Sequence, residues 1–231
     1  MISYDLHIHS ALSPCAQDEM TPNNIINMSL IKELDVIAVT DHNTMLQCRT
    51  CAKCAQDRIK FIYGVEIESK EGVHLLGYFQ DDSSLDFMQK WLDDHRSKIP
   101  HRADYFGNQL LMNEQDEVID TVDELLIVSC DASIDEISAV IHSAHGLCVI
   151  AHALDRASSM ITQLGFIPFE FDYDAIEVHS NEQIEMILSS HPWLKNPVFF
   201  ISSDAHQLID ISEPEHFIDE KVWEELWRKR L

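Results

Sequence analysis

Short apolar, β-branched runs recur along the chain, separated by stretches whose apolar positions have helical spacing. The runs are Ile2–Leu6, Val36–Thr40, Phe61–Ile67, Val73–Phe79, Leu147–Ala151, Ala175–Val178 and Val198–Ser202. Continuous rather than alternating apolar character marks strands covered on both faces, as in a parallel sheet. Between them, Thr21 followed by Pro22 sets an N-cap with proline at the first helical position, opening a helix to about Leu34. Asn43 to about Arg58 reads as a second helix. Ser133 caps Ile134–His145, and Gly146 ends it. Asn181–Ser190 is a further helix. Asp219–Leu231 reads as a terminal amphipathic helix with Trp223, Leu226 and Trp227 on one face.

Alternating strands and helices predict an α/β fold, and seven strands predict a barrel rather than an open sheet. The stretch Asp81–Ser129 breaks the alternation. It holds helix-like Ser84–Arg96, a break at Pro100 and a second amphipathic run from Arg102. Residues 81–129 therefore read as a helical insertion within a single domain spanning 1–231, being too few for a core of their own. No apolar run is long enough to span a membrane. The start, MISYDLHIHSALS, lacks the basic and apolar regions of a secretory signal, so a cytoplasmic location with reduced thiols is expected.

Composition narrows the function. Asp and Glu number 40 against 16 Lys and Arg, a formal charge of −24. Such a chain repels phosphate backbones, which disfavours a nucleic-acid polymer as partner. It welcomes multivalent cations. Thirteen His make metal chemistry the first thing to test.

The ligand-type residues fall in one place on this map. Asp5, His7 and His9 end the first strand; Asp41 and His42 follow the second; Glu66 is near the end of the third. His152 follows the fifth, His179 the sixth, and Asp204 with His206 the seventh. These are C-terminal strand ends, where α/β barrels carry their chemistry. His74 is the exception, near the beginning of its run. In His7-x-His9 both rings point to one face of a strand, which suits a divalent metal.

These motifs together resemble a known family. Asp5-Leu6-His7-Ile8-His9-Ser10, Thr40-Asp41-His42-Asn43, Gly64-Val65-Glu66, Ile150-Ala151-His152 and Ser203-Asp204-Ala205-His206 are similar, in order and spacing, to the motifs of the PHP (polymerase and histidinol phosphatase) superfamily. The resemblance implies a distorted seven-stranded (β/α)7 barrel, two or three divalent metal ions and hydrolysis of phosphate esters. It implies one metal held by His7, His9, Glu66 and Asp204. A second would share Glu66 and add His74 and His152. A third would use His42 and His206 with a ligand from the loop after His9. That loop often reads Ser-Asp-Gly but here reads Ser13-Pro14-Cys15-Ala16, which makes Cys15 a candidate ligand and Asp18 an alternative.

No Ser-His-Asp arrangement, Gly-x-Ser-x-Gly elbow or Walker loop competes with this chemistry. A metal-bound hydroxide is the expected nucleophile, acting on a small phosphorylated metabolite or nucleotide. Imidazole and carboxylate suit zinc, manganese and iron alike. Arg156 is the first candidate to orient the phosphate and Arg102 the second. Asp41 and Asp5 are expected to orient imidazoles, and His179 to touch substrate or cap a strand end. The alternatives are a nuclease or proofreading-exonuclease-like domain and a catalytically silent metal-binding regulatory domain. The sequence sets no oligomeric state.

Several features read as structural. Cys48, Cys51 and Cys54 form a helical stripe better suited to packing than to an iron–sulfur cluster. Cys130 and Cys148 read as buried thiols, His142 and His145 as solvated, and Asp93-Asp94 as a solvated face. Phe166–Phe171 reads as loop cover or substrate wall.

Overall fold

All seven apolar runs become strands in the computed structural model, which describes residues 1–230. The chain order is β1 (Ile2–Ile8), α1 (Pro22–Ile31), β2 (Val36–Val39), α2 (Cys48–Ala55), β3 (Lys60–Glu68), β4 (His74–Phe79), α3 (Asp82–His95), α4 (Ala103–Phe106), β5 (Leu110–Met112), β6 (Val118–Thr121), α5 (Ile134–Ser143), β7 (Leu147–Ile150), α6 (Met160–Leu164), β8 (Ala175–Val178), α7 (Asn181–Ser190), β9 (Val198–Ile201), β10 (Phe217–Ile218) and α8 (Glu220–Arg228).

Among the described residues the main sheet has eight strands in the order β10-β1-β2-β3-β4-β7-β8-β9, with β5 and β6 forming a separate hairpin. The expected seven-stranded (β/α)7 barrel is therefore replaced by a curled mixed sheet. Strand β4 runs antiparallel to both β3 and β7. The reason is the connection Ser69–Val73, too short for a parallel crossover, which needs about a dozen residues. Strand β10 pairs antiparallel with the start of β1. At the opposite rim the segment after β9 closes on β1 through a single bridge: His9 N donates to Ala205 O at 2.9 Å and Ala205 N to His7 O at 3.1 Å.

The reversal of β4 matters for function. It carries His74 to the rim where the parallel strands end, so the residue that looked misplaced joins the others.

Alternate strand residues line the inside of the curl, as a period of two requires: Tyr4, Leu6, Val36, Ala38, Ile62, Leu76, Tyr78, Val149 and Phe200 pack together. Helix α8 plugs the far end with Trp223, Leu226 and Trp227, as its sequence pattern anticipates. A register irregularity between Asp5 and Ile8 then changes the parity of β1. Ile8 packs outside, with Ile25 and Ile26 of α1 and Cys51 of α2. His7 is thereby turned inward.

Helix boundaries differ from expectation where side chains take over from the backbone. The helix expected from Asn43 begins only at Cys48, because Asn43 has a φ of 51° and heads a turn. Helix α1 stops at Ile31, short of Leu34, with Glu33 at a φ of 55°. Helix α5 ends at Ser143, and His145 rather than Gly146 takes the left-handed position. Gly146 serves packing instead, since a Cβ there would overlap the Phe79 ring. The run after Arg102 makes only the one-turn α4 before the β5–β6 hairpin, so segment 81–129 is not wholly helical. Its helix α3 buries Leu85, Met88 and Leu92 in the same apolar cluster as Ile137 and Ile141 of α5.

The Cys48–Cys51–Cys54 stripe is buried in the packing of α2, and Cys130 and Cys148 are buried thiols. His142 is not solvated: its ring lies 3.1 Å from Asp172 and 3.0 Å from Asp174. His145 is exposed, its Nδ1 bonded to Arg230 O. No helix among the described residues is long and apolar enough to cross a membrane.

Candidate metal centre

Glu66, near the end of β3, is the hub of the rim. Its carboxylate lies 2.7 Å from His74 Nδ1, 3.0 Å from His152 Nε2 and 3.0 Å from His42 Nδ1. His9 Nε2 stands at 3.4 Å and His7 Nε2 at 3.5 Å. Asp204 Oδ1 faces the same two rings from the other side, at 3.4 Å from His9 and 3.5 Å from His7. His42 and His206 both stack on His9, with centroids 4.5 and 4.4 Å away. His9, Cys15, His42 and His206 offer donor atoms that all lie within 4.8 Å of one another, as do His7, His9 and Glu66, and His42, Glu66 and His74.

These groupings overlap the three expected sets in part: Asp204 and His152 are in none of them, and His42 stands beside Glu66 and His74 where His152 was expected. Glu66 joins two of them, His152 and His74 meet on its Oε1, and Cys15 joins His42 and His206. His9 sits in two groups, more central than expected.

Hydrogen bonding fixes which nitrogens are free. His7 Nδ1 donates to Glu177, at 2.9 Å from Oε1 and 3.1 Å from Oε2. His9 Nδ1 donates to Ser13 Oγ at 3.1 Å, because that hydroxyl spends its own proton on Asp41 Oδ1 at 2.6 Å. His206 Nδ1 donates to the Asp204 carbonyl at 2.7 Å. Each neutral ring then presents an Nε2 lone pair to the pocket. The Nε2 atoms of His7 and His9 face each other at 3.2 Å. Two lone pairs at that distance repel unless a cation or a proton lies between them. A carboxylate also has about four acceptor positions, fewer than the five rings crowded on Glu66. The buried Nδ1 of His152 has no partner among the described residues. This donor set fits divalent metal ions.

The electrostatics agree. Burial alone would push the Glu66 carboxyl up, yet the His74, His7 and His42 rings hold it well below the carboxylate range. Burial opposes protonation of His74, but Glu66 raises it to about 9. His7 is raised against burial by Glu177, Glu66 and Asp204. His42 goes down through burial. Desolvation and the Glu66 carboxylate push the Cys15 thiol up, although the residue is exposed overall.

The centre opens into a cavity of about 430 Å³ lined by Cys15, His42, Glu66, His74, His152, Asp204 and His206 together with Glu68, Ile127, Arg156 and Ser158. Arg156 Nη2 lies 3.2 Å from Asp204 Oδ2 and its side chain remains half exposed.

Other expected roles need correction. Asp41 does not line the cavity. It is buried and accepts from Ser10 N, Ser10 Oγ and Ser13 Oγ, so it acts on His9 only through Ser13. Asp5 accepts from Ser203 and Ser212 rather than from an imidazole. His179 stands outside the cavity lining, with Nε2 3.6 Å from Asp155. Arg102 pairs with Asp104 at the surface, and Asp18 accepts from Asn108. Glu177 went unrecognised in the sequence. Its signal was a lone acid inside the apolar strand Ala175–Val178.

A curled α/β sheet whose imidazoles and carboxylates meet at one rim defines a metal-centre protein. The chain belongs to the PHP domain family, whose model matches residues 5–167. Solved structures share the fold. A protein described as a metal-dependent phosphoesterase from Bifidobacterium adolescentis has a TM-score of 0.66 at 17% identity, with 98% of this chain and 96% of that one covered. An amidohydrolase from Chromobacterium violaceum has a TM-score of 0.61 at 18% identity, covering 99% and 96%. A lesion-specific endonuclease from Pyrococcus furiosus has a TM-score of 0.61 at 18% identity. This chain is covered over 90% and spans 49% of that longer protein. No curated protein matches in sequence. Family membership and the shared fold support a hydrolase.

Proposed function

We propose that the protein is a metal-dependent phosphoesterase acting on a small phosphorylated metabolite or nucleotide. The observation that carries this reading is the ring of His7, His9, His42, His74 and His152 around the single carboxylate of Glu66, at the floor of a cavity edged by Arg156. His7, His9, Glu66 and Asp204 would hold one divalent ion, Glu66, His74 and His152 a second, and Cys15, His42 and His206 a third. Ions bound there supply Lewis acidity and an acidified water at neutral pH.

The chain's own groups do the rest. Glu177 and Ser13 hold the rings of His7 and His9 with Nε2 inward. Glu66 and Asp204 supply the negative charge that offsets the cations. Arg156, with a planar fork of donors, can release Asp204 and grip a phosphate oxygen.

The same fold serves an endonuclease, so charge rather than fold separates the substrates. A net −24 offers a nucleic-acid backbone no basic track. With manganese or zinc, the purified protein should release phosphate from a generic aryl phosphate, and His7→Ala should abolish the activity. Absence of turnover across a panel of phosphate esters and metals would overturn the reading. DNA binding that persists at about 200 mM salt would favour the nuclease.

A further inference from the structure

Asn43 follows His42 and ties the rim to the segment between α4 and α5. It is fully buried. Its Nδ2 donates to Leu126 O at 2.7 Å and Val128 O at 3.0 Å. Its Oδ1 accepts from Glu68 N at 3.1 Å and from the Cys130 thiol at 3.2 Å. One side chain therefore grips the carbonyls on both sides of residue 127, and Ile127 lines the cavity.

The same segment is fixed to the loop that carries Cys15. Gly107, at a φ of 96°, packs so closely on Pro14 that a Cβ would overlap the Pro14 carbonyl oxygen. Leu110 N donates to Ala11 O at 2.8 Å, and Leu12 is buried with Val122 and Leu126. Both rim loops thus hold one strap.

Ile127 has no part in holding cations. Among the described residues lining the cavity it is the one large aliphatic side chain, set among imidazoles, carboxylates and small residues. An aliphatic wall beside a charged floor contributes shape rather than charge. Its backbone is clamped by Asn43, so the wall cannot swing aside without breaking the two hydrogen bonds that the buried Asn43 amide donates to Leu126 and Val128.

Given that the phosphoryl group sits at the metal centre, we propose that the strap Leu126–Val128, clasped by Asn43, selects by the bulk of the organic substituents carried on that phosphoryl group. Phosphomonoesters with a compact alcohol portion fit beside Ile127. Esters carrying a second bulky substituent, such as the internal phosphodiesters of a nucleic acid, meet the wall. Asn43 is a positioning residue and Ile127 a specificity-determining one.

The test compares 4-nitrophenyl phosphate with bis(4-nitrophenyl) phosphate on the full-length, manganese-loaded protein. Ile127→Ala should raise the ratio of kcat/KM for the bulky over the compact ester by about tenfold or more, the scale of a changed apolar pocket wall. Asn43→Ala should shift the ratio the same way and speed amide hydrogen exchange over residues 122–130, which Ile127→Ala leaves at the parent rate. A ratio within twofold of the parent in both variants overturns the proposal, as does unchanged exchange in Asn43→Ala. If the parent hydrolyses neither these esters nor any other in the panel of phosphate esters and metals, the phosphoesterase reading fails by itself. The wall is then judged by calorimetric binding of methylphosphonate against 1-naphthylphosphonate. Ile127→Ala should shift that affinity ratio about tenfold toward the larger ligand, and no shift overturns the inference.

Discussion

Glu177 Oε1 lies 2.9 Å from His7 Nδ1 and takes the backbone amide of His152 at the same distance. One buried carboxylate on β8 thus sets a ring on β1 and the segment following β7. Its consequence is testable. Glu177→Gln keeps the size but loses the charge that fixes the His7 tautomer. Metal affinity should fall about 10–100-fold in chelator competition with the fold intact by circular dichroism. Unchanged affinity would remove Glu177 from the centre.

Arg156 is the half-exposed cation at the cavity edge. Arg156→Ala should lower kcat/KM for a phosphomonoester roughly 10–100-fold, the scale of one charged hydrogen bond. The loss should fall mainly on KM, and Arg156→Lys should restore only part of it, because an ammonium lacks the fork. Full activity in Arg156→Ala would mean that the residue only pairs with Asp204.

The thiol of Cys15 stands where the resemblance places a carboxylate or imidazole. Cys15→Ala should lower the bound metal by about one equivalent per chain on elemental analysis, since a group of His9, His42 and His206 loses its fourth donor. Asp18→Asn, aimed at Asn108 instead, should leave the metal content unchanged. The opposite pattern would give the third position to Asp18.

Far from the rim, Asp174 accepts from His142, Arg230 and the Cys148 amide. Burial would raise its carboxyl, but His142, Arg230 and that amide hold it below the ordinary 3.8. A depressed carboxyl adds stability above the unfolded value, and loses it as pH falls through the folded one. Asp174→Asn should therefore cost about 3 kcal/mol in urea unfolding at pH 7, with the gap narrowing below about pH 4. A gap independent of pH would mean that shape, not charge, holds Arg230 and His142.

Much of this was legible in the sequence because the seven strands are apolar on both faces, and because side chains at strand ends are few and chemically distinct. His7, His9, Glu66, His152 and Asp204 could be placed on one rim without knowing the sheet. The β4 reversal was harder, since it depends on the length of Ser69–Val73 rather than on any residue in β4. The β5–β6 hairpin left almost no pattern: Val118–Thr121 is exposed throughout, so no alternation marks it. Asn43 read as helical because its φ of 51° is set by tertiary bonds to Leu126 and Val128, distant in sequence. Asp41 looked like a partner for imidazole and reaches His9 only through Ser13, a relay that spacing does not reveal.

The central claim is that Glu66 gathers divalent ions among the rim imidazoles. Elemental analysis after loading with manganese or zinc and desalting tests it directly. The account predicts about two or three ions per chain in the parent and at most about one, held by Cys15, His42 and His206, in a folded Glu66→Ala variant. A folded parent that retains no metal, or a Glu66→Ala variant that retains as much as the parent, would contradict it.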